Sequence, residues 1–195
     1  PLQHFFSKLF TAFSLLFFAL LSAVPRSPGT MPMVGLSDYA AMSGGDGANG
    51  KELPPFGPGG IYHEKQIGSL CAIHCVNNLL QGPKFSEQEF RRVAQELDRA
   101  EAALMGGASM DYGNARSDGF FNVQVVQAVL SKSRYEMDAM SSEAARNNKA
   151  DTAKETAFIL NKNEHWFSVR RIGREWFDLN SCIKVPRHYS DADLR

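Results

Sequence analysis

Ile61-Tyr-His-Glu-Lys-Gln-Ile-Gly-Ser-Leu-Cys-Ala-Ile-His-Cys-Val-Asn-Asn-Leu-Leu-Gln81 is a stretch dense in reactive side chains. Its first half reads as an extended segment or loop and its second half as a helix. Ser69 is a good N-cap, and Leu70, Ile73, Val76, Asn77 and Leu80 follow at helical spacing. Gly82-Pro83 stops the run, because Gly accepts the left-handed cap and Pro cannot continue the hydrogen-bond ladder. Cys71 then falls in the first helical turn, where unpaired N–H groups and the positive end of the helix dipole favour an anion such as a thiolate. Gln66 precedes the turn at Gly68 and is placed to donate to a developing oxyanion. Taken alone, Cys71 reads equally as a buried small hydrophobe, since free cysteine is among the most buried residue types.

Working outward, the carboxy-terminal third supplies possible partners. His165-Trp-Phe-Ser-Val-Arg-Arg171 and Glu175-Trp-Phe-Asp-Leu-Asn180 flank Ile172-Gly173, with glycine where a tight hairpin turn needs a positive φ. A two-residue turn at Ile172-Gly173 pairs Arg171 with Arg174, and counting outward pairs His165 with Asn180. Directly opposed residues of antiparallel strands share a face and stand about 5 Å apart. Nucleophilic thiol chemistry needs such a set. His165 would take the thiol proton and later give it to the leaving amine, and Asn180 would fix the ring. Gln66 and the Cys71 N–H would bind the oxyanion. The order Gln66, Cys71, His165, Asn180 is that of papain-like cysteine proteases. His74 lies one turn after Cys71 on the same helix and is read as structural, because a base must approach from outside that helix.

The whole-chain properties narrow the classes. The 195 residues carry 21 basic and 21 acidic side chains, so nothing suggests a nucleic-acid partner. Three cysteines, Cys71, Cys75 and Cys182, argue against a disulfide framework and for a reducing compartment. A zinc site from Cys71, His74, Cys75 and His165 matches no common zinc spacing. The chain starts at Pro1, and Leu9 to Val24 is almost wholly apolar. That run is short for a membrane span of about 20 residues. A signal-peptide core and a translated leader ahead of Met31 or Met33 are the other readings. Residues 1–30 are therefore set apart as a leader or targeting-like segment. The Gly-, Pro- and Ser-rich residues 31–60 read as a disordered linker, and the catalytic domain is expected over 61–195.

Between the two halves of the constellation, Ser86 with Glu89 forms a capping box. Phe90, Val93, Ala94, Leu97 and Leu104 keep helical spacing until Gly106-Gly107, and a Gly- and Asn-rich loop follows to Gly119. A third helix is expected over Phe120 to Lys132 with Val123, Val126, Val129 and Leu130 inward. A strand over Tyr135 to Met140, a polar loop over Ser141 to Thr156 and an apolar strand over Ala157 to Leu160 complete the pattern.

Several runs together resemble the Josephin domain. They are His63-Glu-Lys-Gln66, Ser69-Leu-Cys-Ala72, Asn77-Asn-Leu-Leu-Gln-Gly82, Gly119-Phe-Phe121, His165-Trp-Phe167 and Leu179-Asn-Ser181. Among its branches they are most similar to the ataxin-three branch. The resemblance implies an α/β (α+β) papain-like cysteine protease fold, with an antiparallel sheet packed against helices and a projecting helical hairpin built on the second helix. It implies deubiquitination without a cofactor or metal, acting on ubiquitin, polyubiquitin chains and ubiquitinated proteins in nucleus and cytoplasm. Cys71 would be nucleophile, His165 base, Asn180 orienter and Gln66 part of the oxyanion hole. Phe85, Val123 and Gln124 match ubiquitin-contact positions, and Ser133 stands where relatives have a tryptophan. The family domain continues past the position of Arg195 with a helix and a closing strand, so an exposed sheet edge is expected. A non-catalytic ubiquitin-binding module, an inactive truncated fragment and a secreted peptidase of broad specificity are the competing readings.

Overall fold

In the computed structural model the described residues are 17–23, 60–107, 112–139 and 156–190. Three helices are present among them: α1, Cys71–Leu80; α2, Glu87–Leu104; and α3, Val123–Lys132. Six strands form one antiparallel sheet: β1, Phe17–Ala23; β2, Tyr135–Ala139; β3, Ala157–Lys162; β4, His165–Ile172; β5, Glu175–Asp178; and β6, Arg187–Tyr189. The strand order is β2-β1-β3-β4-β5-β6. This is the α/β papain-like architecture expected for a Josephin domain. The polar loop expected over Ser141 to Thr156 lies almost wholly outside the described residues.

The helices collect one apolar cluster against the sheet. Ala72, Val76 and Leu79 of α1, Phe90 and Val93 of α2, and Val126 and Val129 of α3 meet Ile159 and Trp166 there. Packing this dense excludes water, and each fully buried large side chain contributes roughly 1.5–3 kcal/mol of transfer free energy. Polar ties fix the contacts in register. Ser168 on β4 donates to the Cys75 carbonyl of α1 at 3.3 Å, and Trp166 Nε1 donates to the Phe121 carbonyl at 2.9 Å. The buried residues of α2 are Phe90, Val93 and Ala94, all in its first half, while Leu104 at its far end is largely exposed. The second half of α2 thus leaves the core, as a projecting helix must.

The helix ends differ from expectation in instructive ways. Leu70, not Ser69, occupies the N-cap position of α1 and gives no side-chain cap. At the other end Gln81, not Gly82, takes the left-handed conformation at φ 56°. It can do so because its side chain is anchored, Nε2 to the Tyr62 and Asn78 carbonyls and Oε1 from the Tyr62 N–H. The capping box of α2 is present as expected, with Ser86 and Glu89 bonded reciprocally. α3 starts at Val123, not Phe120, because the Asn122 side chain caps the Val125 N–H at 3.1 Å. The buried stripe is Val125, Val126, Val129 and Leu130, and Val123, the first residue of the helix, is exposed.

The largest departure concerns the apolar leader. The backbone of Phe17–Ala23 runs between two strands of the domain, pairing Ala19 with Ala139 on β2 and with Ile159 on β3. A domain boundary at Ile61 therefore omits one strand of the sheet.

Candidate functional site

The four residues singled out from the sequence come from three separate parts of the fold. Cys71 opens α1 and is buried, whereas His165 opens β4. Gln66 lies in the loop before α1, and Asn180 just after β5. The Cys71 Sγ stands 3.8 Å from the Glu164 carbonyl and accepts a backbone hydrogen bond from Trp166. The thiol is thus seated against both chain neighbours of His165. Glu164 and Asn163 form the β3–β4 turn at φ 61° and 52°, a left-handed conformation that costs non-glycine residues energy and persists where the surroundings enforce it. One enforcing contact is external: Arg116 Nη1 donates to Glu164 Oε1 at 2.9 Å. Arg116 also bonds Asp118 at 2.6 Å, and its guanidinium stacks 4.7 Å from the Phe120 ring. Gly119, at φ +99°, lets this loop press on the start of α1, where an added Cβ would stand 2.9 Å from Leu70 Cδ2.

His165 Nε2 lies 2.9 Å from Asn180 Oδ1. The same oxygen accepts the Cys182 N–H at 2.9 Å. An atom that accepts from a backbone amide is the carbonyl oxygen of the side chain, so the imidazole must donate to it. That fixes the Nε2–H tautomer and leaves the Nδ1 lone pair for a proton. The Asn180 N–H in turn bonds Asp178 Oδ1 at 3.0 Å, and its carbonyl accepts His63 Nε2 at 2.9 Å.

The hairpin delivers this pair by a different register from the one expected. Ile172 pairs with Glu175, so the turn residues are Gly173 and Arg174, with Gly173 at φ +65°. The ladder is shifted by two residues, and Asn180 stands diagonal to His165, not opposite it. Because side chains alternate with period two, a two-residue slip keeps them on the same face.

Burial pushes the Cys71 thiol up, and the neighbouring Cys182 adds to the rise. Backbone hydrogen bonds from Trp166, Ala72 and Cys71 itself pull it back in part. The helix N-terminus therefore does not by itself make the thiolate, contrary to the sequence expectation, because desolvation outweighs it. Cys75 is wholly inside and is driven up much further by burial. No group of three or more metal-ligating side chains is gathered among the described residues. No helix among them is long and apolar enough to cross a membrane.

Gln66 is held at both ends. Its N–H donates to the Ser181 carbonyl at 3.1 Å, and its Oε1 accepts Ser181 Oγ at 3.2 Å. Its Nε2 bonds the Gly68 carbonyl at 2.7 Å. Behind it stands a polar clamp that the sequence did not reveal. Glu64 accepts from His74 at 2.7 Å, from Asn77 at 3.2 Å and from the Tyr62 hydroxyl. Asn78 bonds both backbone groups of Glu64 and the Leu179 carbonyl. The available signal was Asn77-Asn78 on the inward side of an apolar helix, where amides are buried only if paired. Of the remaining candidates, Val123 and Gln124 are exposed, while Phe85 is half-buried with its ring 6.2 Å edge-on to Phe90.

Comparison with known proteins follows the same outline. The family profile described as Josephin matches residues 66–195. Ataxin-3 of Rattus norvegicus is 42% identical over 145 residues, covering 69% of this chain and 41% of that protein. Ataxin-3 of Homo sapiens is 42% identical over 145 residues, covering 69% and 40%. The Ataxin-3 homolog of Arabidopsis thaliana is 36% identical over 144 residues, covering 68% and 51%. The chain thus spans between two fifths and one half of the length of these relatives.

Proposed function

The chain belongs to the Josephin family, and from that premise we propose that it is a thiol-dependent deubiquitinase that hydrolyses ubiquitin isopeptide and peptide bonds. The observation that carries the proposal is the fixed tautomer of His165, with Nε2–H on Asn180 Oδ1 at 2.9 Å and Nδ1 bare. A buried, neutral Cys71 needs such a base. His165 Nδ1 takes the thiol proton, and the sulfur attacks the carbonyl carbon at the ubiquitin C-terminus. The oxyanion is met by the Cys71 N–H and the Gln66 amide. Imidazolium protonates the leaving amine, and water then hydrolyses the thioester with His165 as base. The Gln66 Nε2 carries two protons, one donated to the Gly68 carbonyl and the second available to the oxyanion. The exposed Val123 and Gln124, with Phe85, form the proposed ubiquitin-facing surface, and nucleus and cytoplasm are the proposed compartments.

A ubiquitin-based suicide probe tests this directly. Covalent labelling should map to Cys71. Cys71→Ser should lose hydrolysis of a ubiquitin C-terminal amide while retaining ubiquitin affinity, and Cys75→Ser and Cys182→Ser should keep most activity. Ubiquitin binding without any labelling would identify a non-catalytic binding module instead.

A further inference from the structure

The mechanism assigns no part to His74 on α1, yet both of its ring nitrogens are engaged. Nδ1 is 2.7 Å from Glu64 Oε2, and Nε2 receives the Ile67 N–H at 3.3 Å. The side chains of His74 and Glu64 are 13% and 16% exposed, so water competes little for either bond. A backbone N–H can only donate, so Nε2 must carry its lone pair and the proton must sit on Nδ1. Glu64 fixes that tautomer. Burial alone would raise its carboxyl, but hydrogen bonds from His74, Tyr62 and Asn77 outweigh this and hold it below the usual carboxylate range.

Ile67 is the residue directly after Gln66, and its side chain is 72% exposed, so packing does not hold it. Its backbone is held by the His74 ring on one side and by the turn to the Leu70 N–H at 3.4 Å on the other. Gln66 itself is tied to Ser181. The loop that carries the proposed oxyanion donor thus has two anchors, and one of them is an imidazole on the same helix as the nucleophile, one turn on. We propose that His74, oriented by Glu64, is a positioning residue that sets the height of the Gln66 loop over the Cys71 sulfur through the Ile67 N–H. This rests on the deubiquitinase reading for its kinetic consequence but not for the tether itself. Two oriented histidines would then divide the work: His165, on Asn180, moves protons, and His74, on Glu64, holds backbone.

Two substitutions divide the ring. His74→Gln places an amide oxygen where Nε2 accepts Ile67 but gives up the Glu64 bond. His74→Asn places an amide NH₂ where Nδ1 meets Glu64 but falls short of Ile67. The amide-exchange rate of Ile67, read by NMR, reports the tether without any need for activity. It should be slow in the wild type and in His74→Gln, and fast in His74→Asn. With a ubiquitin C-terminal amide substrate, kcat should drop about tenfold or more in His74→Asn with KM nearly unchanged, since losing an oxyanion donor outright costs about 10²–10³. His74→Gln should keep most of kcat. Long-range ¹H–¹⁵N spectra of the unsubstituted chain should show His74 protonated on Nδ1, which keeps a test in hand if a variant fails to fold. An Nε2–H tautomer, an Ile67 amide indifferent to His74→Asn, or equal kcat losses in both folded variants would overturn the proposal. Absence of hydrolysis by the unsubstituted chain would overturn the deubiquitinase reading and leave the exchange measurement to decide the tether.

Discussion

Buried thiols do not ionise unaided, and at the scale of single residues this shapes the site. Burial raises the Cys71 thiol above its ordinary value, so in the proposed reaction a base, His165, has to take its proton. In a Cys182→Ser, His165→Ala background, alkylation of Cys71 by iodoacetamide should therefore become fast only at a pH higher than free cysteine needs. With His165 restored, the rate near neutrality should rise. The sign follows from desolvation, because raising the pH supplies the thiolate that burial withholds. Mass-spectrometric mapping of the modified residue gives the check, and unchanged neutral reactivity on removing the imidazole would count against the base role. The residue types of this centre were legible in sequence because their chemistry is distinctive: a cysteine at a helix start, a histidine and an asparagine at the two ends of one hairpin. The clamp of Glu64, His74, Asn77 and Asn78, and the His63 bond to Asn180, were not. These side chains bond backbone carbonyls and amides such as those of Asn180, Ile67 and Leu179, and a sequence does not show where those groups point.

At the scale of elements, the helices and strands follow apolar periodicity, and the errors lie at their ends. Local hydrogen bonds decide those ends: the Asn122 side chain starts α3 late, and the Gln81 side chain holds the left-handed turn that glycine was expected to take. Where the capping signal is a reciprocal pair, as for Ser86 and Glu89, the expected start is met. Ser86→Ala should destabilise the protein by about 1 kcal/mol, since both the side-chain cap on the Glu89 N–H and the pairing of the hydroxyl with Glu89 are lost. Urea unfolding with an unchanged m-value is the measurement. A loss well under half of that would show that α2 draws its stability from Phe90 and Val93 alone. The β4–β5 hairpin makes the complementary point. Its turn was misplaced by one residue and its register by two, yet the histidine and asparagine still share a face, because pleating is indifferent to even slips.

At the scale of the whole molecule, the sheet includes a strand that composition had assigned to a leader. An apolar run reads the same way whether it is bound for a translocon, a membrane or the middle of a sheet, so only pairing partners distinguish these fates, and they lie far along the chain. Deleting residues 1–23 would strip β1 from between β2 and β3 and leave their facing backbone groups unpaired. The shortened chain should elute as aggregate or melt without cooperativity, whereas the full chain should melt in one transition. A sharp, monomeric two-state melt of residues 24–195 would show that the sheet does not need β1. The same strand bears on how the fold is reached in time. Its partners, Tyr135–Ala139 and Ala157–Asn161, are separated from it by on the order of a hundred residues or more, among the least local contacts the chain makes. During synthesis β1 can pair only after β2 and β3, on the order of a hundred residues later in the chain, have been made. Its insertion should be a late step in folding, paced by chain length and not by side-chain chemistry. Until then an apolar ribbon stands open, and holdase chaperones that shield such ribbons should raise the yield of native protein more than they alter its final stability.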